Sequence, residues 1–566
     1  LPTGGGKSLC YQIPALMLPG LTVVISPLIS LMKDQVDALN ASGVNAAYLN
    51  SSLSADRARA VVKELRQGEI DLLYVSPERI LSPETLEMLK QIQLSLIAID
   101  EAHCVSQWGH DFRPEYVQLG NLRPHFPGVP FVGLTATADH QTRKDVLDKL
   151  GLSDASVFVS SFDRPNIHYR VEPKVNSFGQ LEAFLDDIGN ESVIIYCLSR
   201  KRVEGVAEKL KERGYKVGAY HAGFSTGDRT RVQEAFLKDD IQIVAATIAF
   251  GMGIDKPNVR GVVHFDMPKN IEGYYQETGR AGRDGLPSKA LMIYSLGDAI
   301  TIRKLLSTIE NPHQHQVESH KLDAMIGYAE SITCRRRVLL NYFGEGLGVA
   351  CGNCDVCQNP RSLYEATEDA YNALMCVYEL KQKFGILHVI DVLRGAQTYQ
   401  VRKDRHDLIP SYGKGSARST DHWMNVFRQL IHLGYLRQDI ADHSSLKLTP
   451  LTKALVRREA TLELVVAPDR ETAAQRKERR SRRSKMVSGD VDDGLFQALR
   501  TLRKKLADAQ EVPPYVIFSD ATLQDMARKK PATLDQMLDV SGVGEHKLKR
   551  YGEEFLTEIQ RFGAQS

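Results

Sequence analysis

The chain has 566 residues, which predicts roughly three or four domains. Its 72 Lys and Arg residues balance 70 Asp and Glu residues, so bulk charge identifies no partner and indicates neither a polycation nor an acidic disordered tail. No stretch approaches about 18 apolar residues, and eight Cys in so long a chain indicate no disulfide scaffold. No signal peptide is visible, and because the chain begins inside a phosphate-binding motif we expect a fragment without its true N-terminus.

Short apolar segments alternate with helical stretches over the first 300 residues. Eight segments are predicted to be strands: Leu21–Ser26, Asp71–Ser76, Leu94–Asp100, Val129–Thr135, Val193–Cys197, Val217–His221, Gln242–Thr247 and Gly261–Asp266. Two consecutive sets of β–α units predict two α/β domains with parallel sheets. The turn-rich run Asp163–Asn166 separates them, which gives domains at 1–163 and 164–312.

Most of a Walker A motif opens the chain, in the residues Thr3, Gly4, Gly5, Gly6, Lys7 and Ser8. Glycines let backbone N–H groups curl round a polyphosphate at a helix N-terminus. Lys7 would contact the β- and γ-phosphates, and the Ser8 hydroxyl would bind Mg²⁺. The strict pattern has Gly where Leu1 stands. The alternative is a Gly-rich turn that happens to precede Lys-Ser.

Two carboxylates follow the third predicted strand, where α/β sheets bind their ligands. Asp100 suits a Mg²⁺-binding role, and Glu101 suits orienting and polarising the attacking water. The alternative is an acidic loop at the end of a strand. Asp100 and Glu101 lie downstream of a phosphate loop, in a chain where strands and helices alternate, and this position favours the catalytic interpretation.

Two arginines lie three residues apart in the second predicted α/β domain, Arg280 and Arg283, within the run QETGRAGRDG. Phosphoryl transfer gains from an Arg that stabilises charge in the transition state. ATP would then bind in the cleft between the two domains. Closing that cleft would assemble the site and hydrolysis would release it, so ATP turnover would become relative motion of two domains.

These motifs together resemble superfamily 2 helicases and, more specifically, the bacterial RecQ family. The resemblance covers essentially the whole chain. It is carried by LPTGGGKS, by DEAH with the following CVSQWGHDFRPEY, by TAT, by ATIAFGMGIDKPNVR and by QETGRAGRDG. It implies two RecA-like parallel-sheet motor domains, then a zinc-binding helical unit (313–361), a winged-helix domain (362–468), a basic linker (469–485) and a small all-helical HRDC domain (486–566).

The same resemblance implies further site residues. Gly251, Asp255 and Gln276 would contribute to nucleotide binding, and the run Thr135–Thr137 would link the nucleotide and DNA sites. An aromatic-rich loop after the acidic motif would couple DNA binding to hydrolysis through Gln107, Trp108, His110, Phe112 and Arg113. Aromatic rings there can stack on bases. The alternative is that Trp108 and Phe112 are core residues.

Four cysteines have metal-ligand spacing, C-x16-C-x2-C-x2-C, at Cys334, Cys351, Cys354 and Cys357. Four thiolates suit a tetrahedral Zn²⁺, and because all four positions are filled the site would be structural. An iron–sulfur cluster also uses four cysteines and stays open at this point. The remaining cysteines are interpreted as packing residues.

The resemblance implies an ATP-dependent 3′→5′ DNA helicase that needs ATP, Mg²⁺ and Zn²⁺. It would translocate on single-stranded DNA, unwind duplexes, and act in recombination, replication-fork repair and the SOS response. Single-stranded-DNA-binding protein and recombination proteins are further partners it suggests, with a cytoplasmic, nucleoid-associated location and no membrane. The rival hypotheses are an RNA helicase, a duplex translocase with little unwinding, and a DNA-structure binding module with an inactive ATP site.

Overall fold

The computed structural model describes residues 2, 4–27, 29–50, 53–106, 112–251, 256–360, 362–439, 445–465 and 493–565. The chain divides into two units. The first comprises Leu1–Pro268, Glu272–Asp298 and Val491–Ser566, and the second comprises Lys269–Ile271 and Ala299–Asp490. The first unit holds two parallel sheets and a terminal helical domain.

The first parallel sheet has five strands, β1 (Leu21–Ile25), β2 (Ala46–Leu49), β3 (Leu72–Val75), β4 (Leu94–Ile99) and β5 (Phe131–Gly133). Their order is β2-β3-β1-β4-β5, and the described pairs are parallel. Every residue of the central strand β1 is buried, which explains why the strand is apolar apart from Thr22, whose hydroxyl lies 2.8 Å from that of Ser95. The helices are α1 (Leu9–Met17), α2 (Ile29–Ala41), α3 (Ala55–Gln67), α4 (Pro77–Ile80), α5 (Pro83–Lys90), α6 (Pro114–Gln118) and α7 (His140–Lys149).

The second parallel sheet has six strands, β6 (Ile167–Pro173), β7 (Ser192–Tyr196), β8 (Val217–Tyr220), β9 (Ile243–Ala246), β10 (Val259–His264) and β11 (Ser288–Tyr294). Their order is β6-β11-β10-β7-β9-β8, again with parallel described pairs. The helices are α8 (Ser177–Ile188), α9 (Arg200–Glu212), α10 (Thr226–Leu237) and α11 (Ile271–Thr278). Helix α12 (Leu296–Leu306) begins in the first unit, and its residues from Ala299 onward belong to the second. All eight predicted strands are present, and β2, β6 and β11 are additional.

An extended connector, residues 156–166, joins the two sheets. Val157, Phe158 and Val159 are exposed in it, Phe158 at 86%. The chain then becomes buried at Phe162, whose carbonyl accepts a 2.8 Å hydrogen bond from the Tyr275 hydroxyl on α11. The connector therefore has a solvent-exposed first part and a last part that belongs to the second sheet domain.

The second unit consists of helices and two small antiparallel sheets. Its elements are α13 (Pro312–Glu330), α14 (Arg335–Tyr342), α15 (Asp355–Gln358), β12 (Leu363–Glu365), α16 (Thr367–Glu379), α17 (Ile386–Arg394), α18 (Tyr399–Lys403), α19 (Thr420–His432), β13 (Leu436–Asp439), β14 (Ser445–Leu448), α20 (Thr452–Val456) and β15 (Glu463–Val465). Strand β12 pairs with β15, and β13 pairs with β14. Trp423, Val426, Phe427 and Leu430 place one face of α19 in the core of this unit.

Polar contacts join α19 to the C-terminal end of α13 and to Ser331, the residue that follows it. Arg428 on α19 pairs with Glu330 at 2.8 Å, and Nδ1 of His432 lies 3.1 Å from the Ser331 hydroxyl. Burial, reinforced by Arg428, lowers the pKa of His432 to about 3. His432 is therefore a neutral hydrogen-bonding side chain at this junction at neutral pH.

Five helices form the terminal domain of the first unit, α21 (Asp493–Ala509), α22 (Pro514–Ile517), α23 (Asp520–Lys529), α24 (Leu534–Leu538) and α25 (Glu545–Gln565). Charged side chains on α21 meet the second sheet domain. Arg500 donates two hydrogen bonds, of 2.7 and 2.9 Å, to the Glu191 carboxylate just before β7. Lys504 lies 2.8 Å from Asp240. Polar pairs of opposite charge therefore form part of this interface.

Candidate nucleotide and metal sites

The Gly-rich loop before α1 is open to solvent. Gly4 and Gly6 have positive φ of 77° and 74°, a conformation that residues with a Cβ rarely adopt. Gly4, Gly5 and Gly6 are exposed, and the chain enters the nine-residue helix α1 directly after Lys7 and Ser8. A curled, exposed backbone at a helix N-terminus suits a polyphosphate.

The acidic motif lies where β4 ends. The Asp100 carboxylate is buried and accepts a 2.9 Å hydrogen bond from the Glu101 backbone N–H. Burial and then the neighbouring Glu101 raise the pKa of Asp100 to about 6, and Lys7 opposes this rise. Lys7 and Asp100 therefore belong to one electrostatic site. Glu101 has a left-handed φ of 48°, a strained conformation of the kind that occurs at functional sites.

A hydrogen-bonded chain connects the acidic motif to the segment after β5. Nδ1 of His103 lies 3.3 Å from a Glu101 carboxylate oxygen and 2.9 Å from the Thr135 hydroxyl. That hydroxyl also donates to the Thr137 carbonyl at 3.1 Å. The residues predicted to link two sites thus contact the acidic motif through one hydroxyl group.

The two arginines of the QETGRAGRDG run lie beside different glycines, on a segment that we call the finger loop (Gly279–Asp284). A Cβ added to Gly4 would lie 3.3 Å from Cγ of Arg283. A Cβ added to Gly251 would lie 2.9 Å from Nη2 of Arg280. The finger loop of the second sheet domain therefore lies against the phosphate loop of the first, with Arg283 nearest to it.

The connector between the sheets supplies a site residue that the sequence motifs did not reveal. Arg164 donates hydrogen bonds to the backbone carbonyls of Gly279, Ala281 and Gly282. In the sequence this segment indicated only a domain boundary, because contacts to backbone carbonyls leave no residue pattern in the partner. The only signal in the sequence was the presence of Arg164 and Asn166 in a turn, and such residues are common in turns.

Only the end of the aromatic-rich loop is described. Phe112 and Arg113 are half-buried; the Arg113 backbone N–H donates to the Cys104 carbonyl at 2.9 Å, and its guanidinium donates to the Pro27 carbonyl at 3.0 Å. Gln276 lies on α11, just before the finger loop. The predicted site residues outside the described part of the chain are Thr3, Gln107, Trp108, His110 and Asp255.

The residue before the aromatic-rich loop, Ser106, is hydrogen-bonded to α7. The Ser106 hydroxyl, which is fully buried, donates a 2.8 Å hydrogen bond to Asp145. Lys149 binds the same carboxylate at 3.0 Å. These contacts join the residue before the loop to the helix that follows Thr135–Thr137.

The four cysteines predicted to bind metal lie together in the second unit. The Sγ atoms of Cys334, Cys351, Cys354 and Cys357 are all within 4.8 Å of one another. Backbone N–H groups of Asn353 and Cys357 donate to the sulfurs of Cys351 and Cys354, both at 3.4 Å. Such hydrogen bonds favour thiolates. Cys334 is the N-cap of α14, one residue before the helix begins.

The sulfur spacing fits a single metal ion. Zn–S bonds of about 2.3 Å in a tetrahedron place sulfurs about 3.8 Å apart. The sulfurs of Cys351 and Cys357 are 3.9 Å apart. An iron–sulfur cluster would separate its cysteines more widely because several metal and sulfide atoms lie between them. The four thiolates therefore fit Zn²⁺ better than a cluster.

Family models match the chain along its length. They are described as DEAD/DEAH box helicase (residues 1–146), helicase conserved C-terminal domain (176–285), RecQ zinc-binding (296–358), RQC domain (360–473) and HRDC domain (492–559). The first two models define the class, a helicase with two parallel-sheet domains. The predicted fold class is confirmed.

Curated relatives define the family. "ATP-dependent DNA helicase RecQ" of Haemophilus influenzae is 48% identical over 565 residues, covering 100% of this chain and 91% of the relative. The protein of that name from Pasteurella multocida is 48% identical, covering 99% and 88%, and that from Bacillus subtilis is 38% identical, covering 99% and 93%. The chain belongs to the RecQ family of ATP-dependent DNA helicases, which confirms the resemblance. None of the described helices is long and apolar enough for a membrane span.

Proposed function

We propose that this protein hydrolyses ATP to translocate 3′→5′ on single-stranded DNA and to unwind duplexes. The observation that carries the proposal is the position of Arg283 against Gly4, because it brings a transition-state arginine of one sheet domain to the phosphate loop of the other. The 3′→5′ polarity rests on the family resemblance alone. The roles in recombination, fork repair and the SOS response, and the location at the nucleoid, have the same basis.

The proposed chemistry assigns one task to each side chain. Lys7 binds the β- and γ-phosphates, Glu101 orients and polarises the attacking water, and Arg283 stabilises charge on the transferred phosphoryl group. Arg280, on the same loop as Arg283, lies against Gly251, one of the proposed nucleotide contacts. Nδ1 of His103 is hydrogen-bonded to Thr135 and lies 3.3 Å from the Glu101 carboxylate, so His103 would couple the positions of these two residues.

Mg²⁺ is the expected cofactor of the hydrolysis, and Ser8 and Asp100 would hold it. The fit is supported by Asp100 itself, whose buried carboxylate has a raised pKa and would be stabilised as an anion by a divalent cation. When bound, the ion neutralises phosphate charge. Gly4, Gly5 and Gly6 cradle the phosphates, and Thr3, Gly251, Asp255 and Gln276 are the proposed additional nucleotide contacts.

DNA contact is assigned to several parts of the chain. The aromatic-rich loop with Gln107, Trp108, His110, Phe112 and Arg113 would stack on bases and couple them to the acidic motif. The winged-helix and HRDC domains would engage duplex DNA through phosphates, without reading sequence. Proteins that bind single-stranded DNA or act in recombination are proposed as partners.

Strand separation tests the proposal directly. We expect ATP-dependent unwinding of a DNA duplex with a 3′ single-stranded tail, and much less with a 5′ tail or an RNA duplex. Lys7→Ala should abolish it, whereas Lys90→Ala on α5, an exposed Lys paired with Glu87, should not. Preference for the 5′ tail or for RNA would contradict the proposal. DNA-stimulated ATPase without unwinding would favour the duplex translocase.

A further inference from the structure

The last residues of the connector, Arg164 and Asn166, are hydrogen-bonded to the finger loop. The Arg164 guanidinium donates through Nη1 to the Gly279 carbonyl at 2.9 Å, and through Nη2 to the carbonyls of Ala281 and Gly282 at 2.8 and 2.9 Å. Arg164 is only 8% exposed. One planar cation thus binds three carbonyls within four residues of the loop.

Asn166 extends the same contact. Its side-chain amide donates to the carbonyls of Gly282 and Leu286, both at 2.9 Å, and its own carbonyl accepts from the Ser288 N–H at 2.9 Å. Gly282 has a φ of 56°, and a Cβ there would lie 2.4 Å from Nδ2 of Asn166. The loop approaches this closely only because position 282 is glycine.

Arg164 also lies beside the phosphate loop. A Cβ added to Gly4 would lie 3.6 Å from Nη1 of Arg164 and 3.3 Å from Cγ of Arg283. The guanidinium of Arg164 therefore occupies the place where the phosphate loop of the first sheet domain meets the finger loop of the second. Its hydrogen bonds fix the backbone on both sides of Arg280 and immediately before Arg283.

We propose that Arg164 is a positioning residue for ATP hydrolysis, which holds the finger loop so that Arg283 is placed at the phosphate loop before the transition state forms. This inference rests on the proposed function. The guanidinium is suited to the role because its donors lie in one plane with fixed angles, whereas a Lys ammonium has no such geometry. Preorganised charge requires little rearrangement during reaction.

Kinetics of Arg164→Met and Arg164→Lys test the inference. We expect kcat of the DNA-stimulated ATPase to fall by about 100-fold in both, close to the loss in Arg283→Ala, because a displaced finger forfeits its transition-state contact. KM for ATP should change by less than about 3-fold, since ground-state binding does not use the finger. Asn166→Ala should show a smaller loss in kcat in the same direction.

A double-mutant cycle separates positioning from direct contact with phosphate. If Arg164 acts through Arg283, then Arg164→Met should reduce kcat by less than about 3-fold in the Arg283→Ala background. If the fold-loss of kcat in the double variant equals the product of the losses in the two single variants, the inference is overturned. A wild-type kcat in Arg164→Met would also overturn it.

A matched control is available in the same domain. Gln180 is 5% exposed and donates to the Pro173 carbonyl at 3.1 Å and to Glu172. Gln180→Met removes a buried donor without touching the finger loop, so it should lower stability while leaving kcat unchanged.

Hydrogen exchange gives a readout that does not need activity. Amide exchange over 279–288 should accelerate by about 10-fold or more in Arg164→Met and stay at the wild-type rate in Gln180→Met, because local opening tracks lost contacts. Unchanged exchange would overturn the inference. A wild-type protein without DNA-stimulated ATPase would instead refute the proposed function, while the exchange result would still decide how the loop is held.

Discussion

Nδ1 of His103 lies 2.9 Å from the hydroxyl of Thr135, which joins the acidic motif after β4 to the segment after β5. His103 is 1% exposed, so this contact is shielded from water and its geometry is well defined by packing. Because His103 also lies 3.3 Å from Glu101, a displacement of Thr135 would be felt at the side chain proposed to polarise water.

Thr135→Val should therefore impair hydrolysis, because it removes the hydroxyl while the side chain keeps nearly the same shape. We expect kcat of the ATPase to fall by about 10- to 100-fold, the size of effect that follows from a small misplacement of a reacting group. Steady-state ATPase assays with single-stranded DNA would measure it. Thr22→Val is the control, since Thr22 is a fully buried threonine whose hydroxyl lies 2.8 Å from that of Ser95, whereas Thr135 is half-buried. Equal losses in both variants would contradict the prediction.

Because the pKa of Asp100 is raised, we expect that replacing its carboxylate with a neutral side chain increases the stability of the folded protein. From pH 3.8 to about 6 the native protein holds more protons at Asp100 than the unfolded chain, so its stability falls as pH rises through this window. A rise in pKa to about 6 corresponds to at most about 3 kcal/mol at pH 8. Asp100→Asn should thus raise Tm more at pH 8 than at pH 4, measured by calorimetry without nucleotide or Mg²⁺, while abolishing ATPase activity.

Asp154→Asn is the matched control with the opposite sign. Its hydrogen bond and charge pairing with Arg123 lower the pKa of this exposed carboxyl, so the pair contributes stability above the unfolded pKa and loses it as pH falls. The variant should therefore lower Tm slightly at pH 8 and not at pH 3. A Tm gain in both variants at pH 8 would contradict the assignment for Asp100.

Metal analysis should find one zinc per chain, and Cys351→Ser should lower that content together with the Tm of the second unit. The reason is that a fully ligated structural metal contributes its binding free energy to folding. Cys376→Ser is the control, because Cys376 is a buried thiol of the same unit outside the cluster. Its substitution should lower Tm while the zinc content stays at one. Iron in place of zinc would contradict the prediction.

The Ser106–Asp145 hydrogen bond should affect the response to DNA. Ser106→Ala removes the hydrogen bond between α7 and the residue before the aromatic-rich loop. DNA stimulation of the ATPase should therefore fall by about 10-fold while ATPase activity without DNA is retained. Titration of the ATPase with single-stranded DNA would measure this ratio. Ser95→Ala removes another buried, hydrogen-bonded hydroxyl and should leave the ratio unchanged.

Charge reversal should undock the terminal domain. Arg500→Glu places two carboxylates against each other in place of a bidentate ion pair with Glu191, and like charges at such distances repel. We expect the radius of gyration from X-ray scattering to rise in Arg500→Glu and to return to the wild-type value in the double variant with Glu191→Arg. No rise in the single variant would contradict the prediction.

Continuous apolar runs are a local property of the sequence, and they predicted eight strands, among them the fully buried β1, β3, β7 and β9. They missed β2 and β6, which lie at sheet edges, and β6 has only two buried residues in seven. They also missed β11, which begins with Ser288 and Lys289. The cysteine spacing predicted a cluster because three of its four ligands lie within seven residues.

The contacts of Arg164 and of Ser106 could not be predicted in this way. Ser106 and Asp145 are separated by 39 positions, and Arg164 and Gly279 by 115. The partners of Arg164 are backbone carbonyls, which every residue possesses, so no residue type marks them. Such contacts follow from how the sheets and loops fold together rather than from any local pattern.

The connector between the sheets has a mechanical consequence. Phe162, Arg164 and Asn166 are all bonded to α11 or to the finger loop, so they must move with the second sheet domain as a rigid body. A hinge between the two sheet domains would then lie before Phe162, where Val157, Phe158 and Val159 are exposed. A rotation about such a hinge would carry Arg283 together with the connector, because Arg164 is hydrogen-bonded to the loop that bears Arg283.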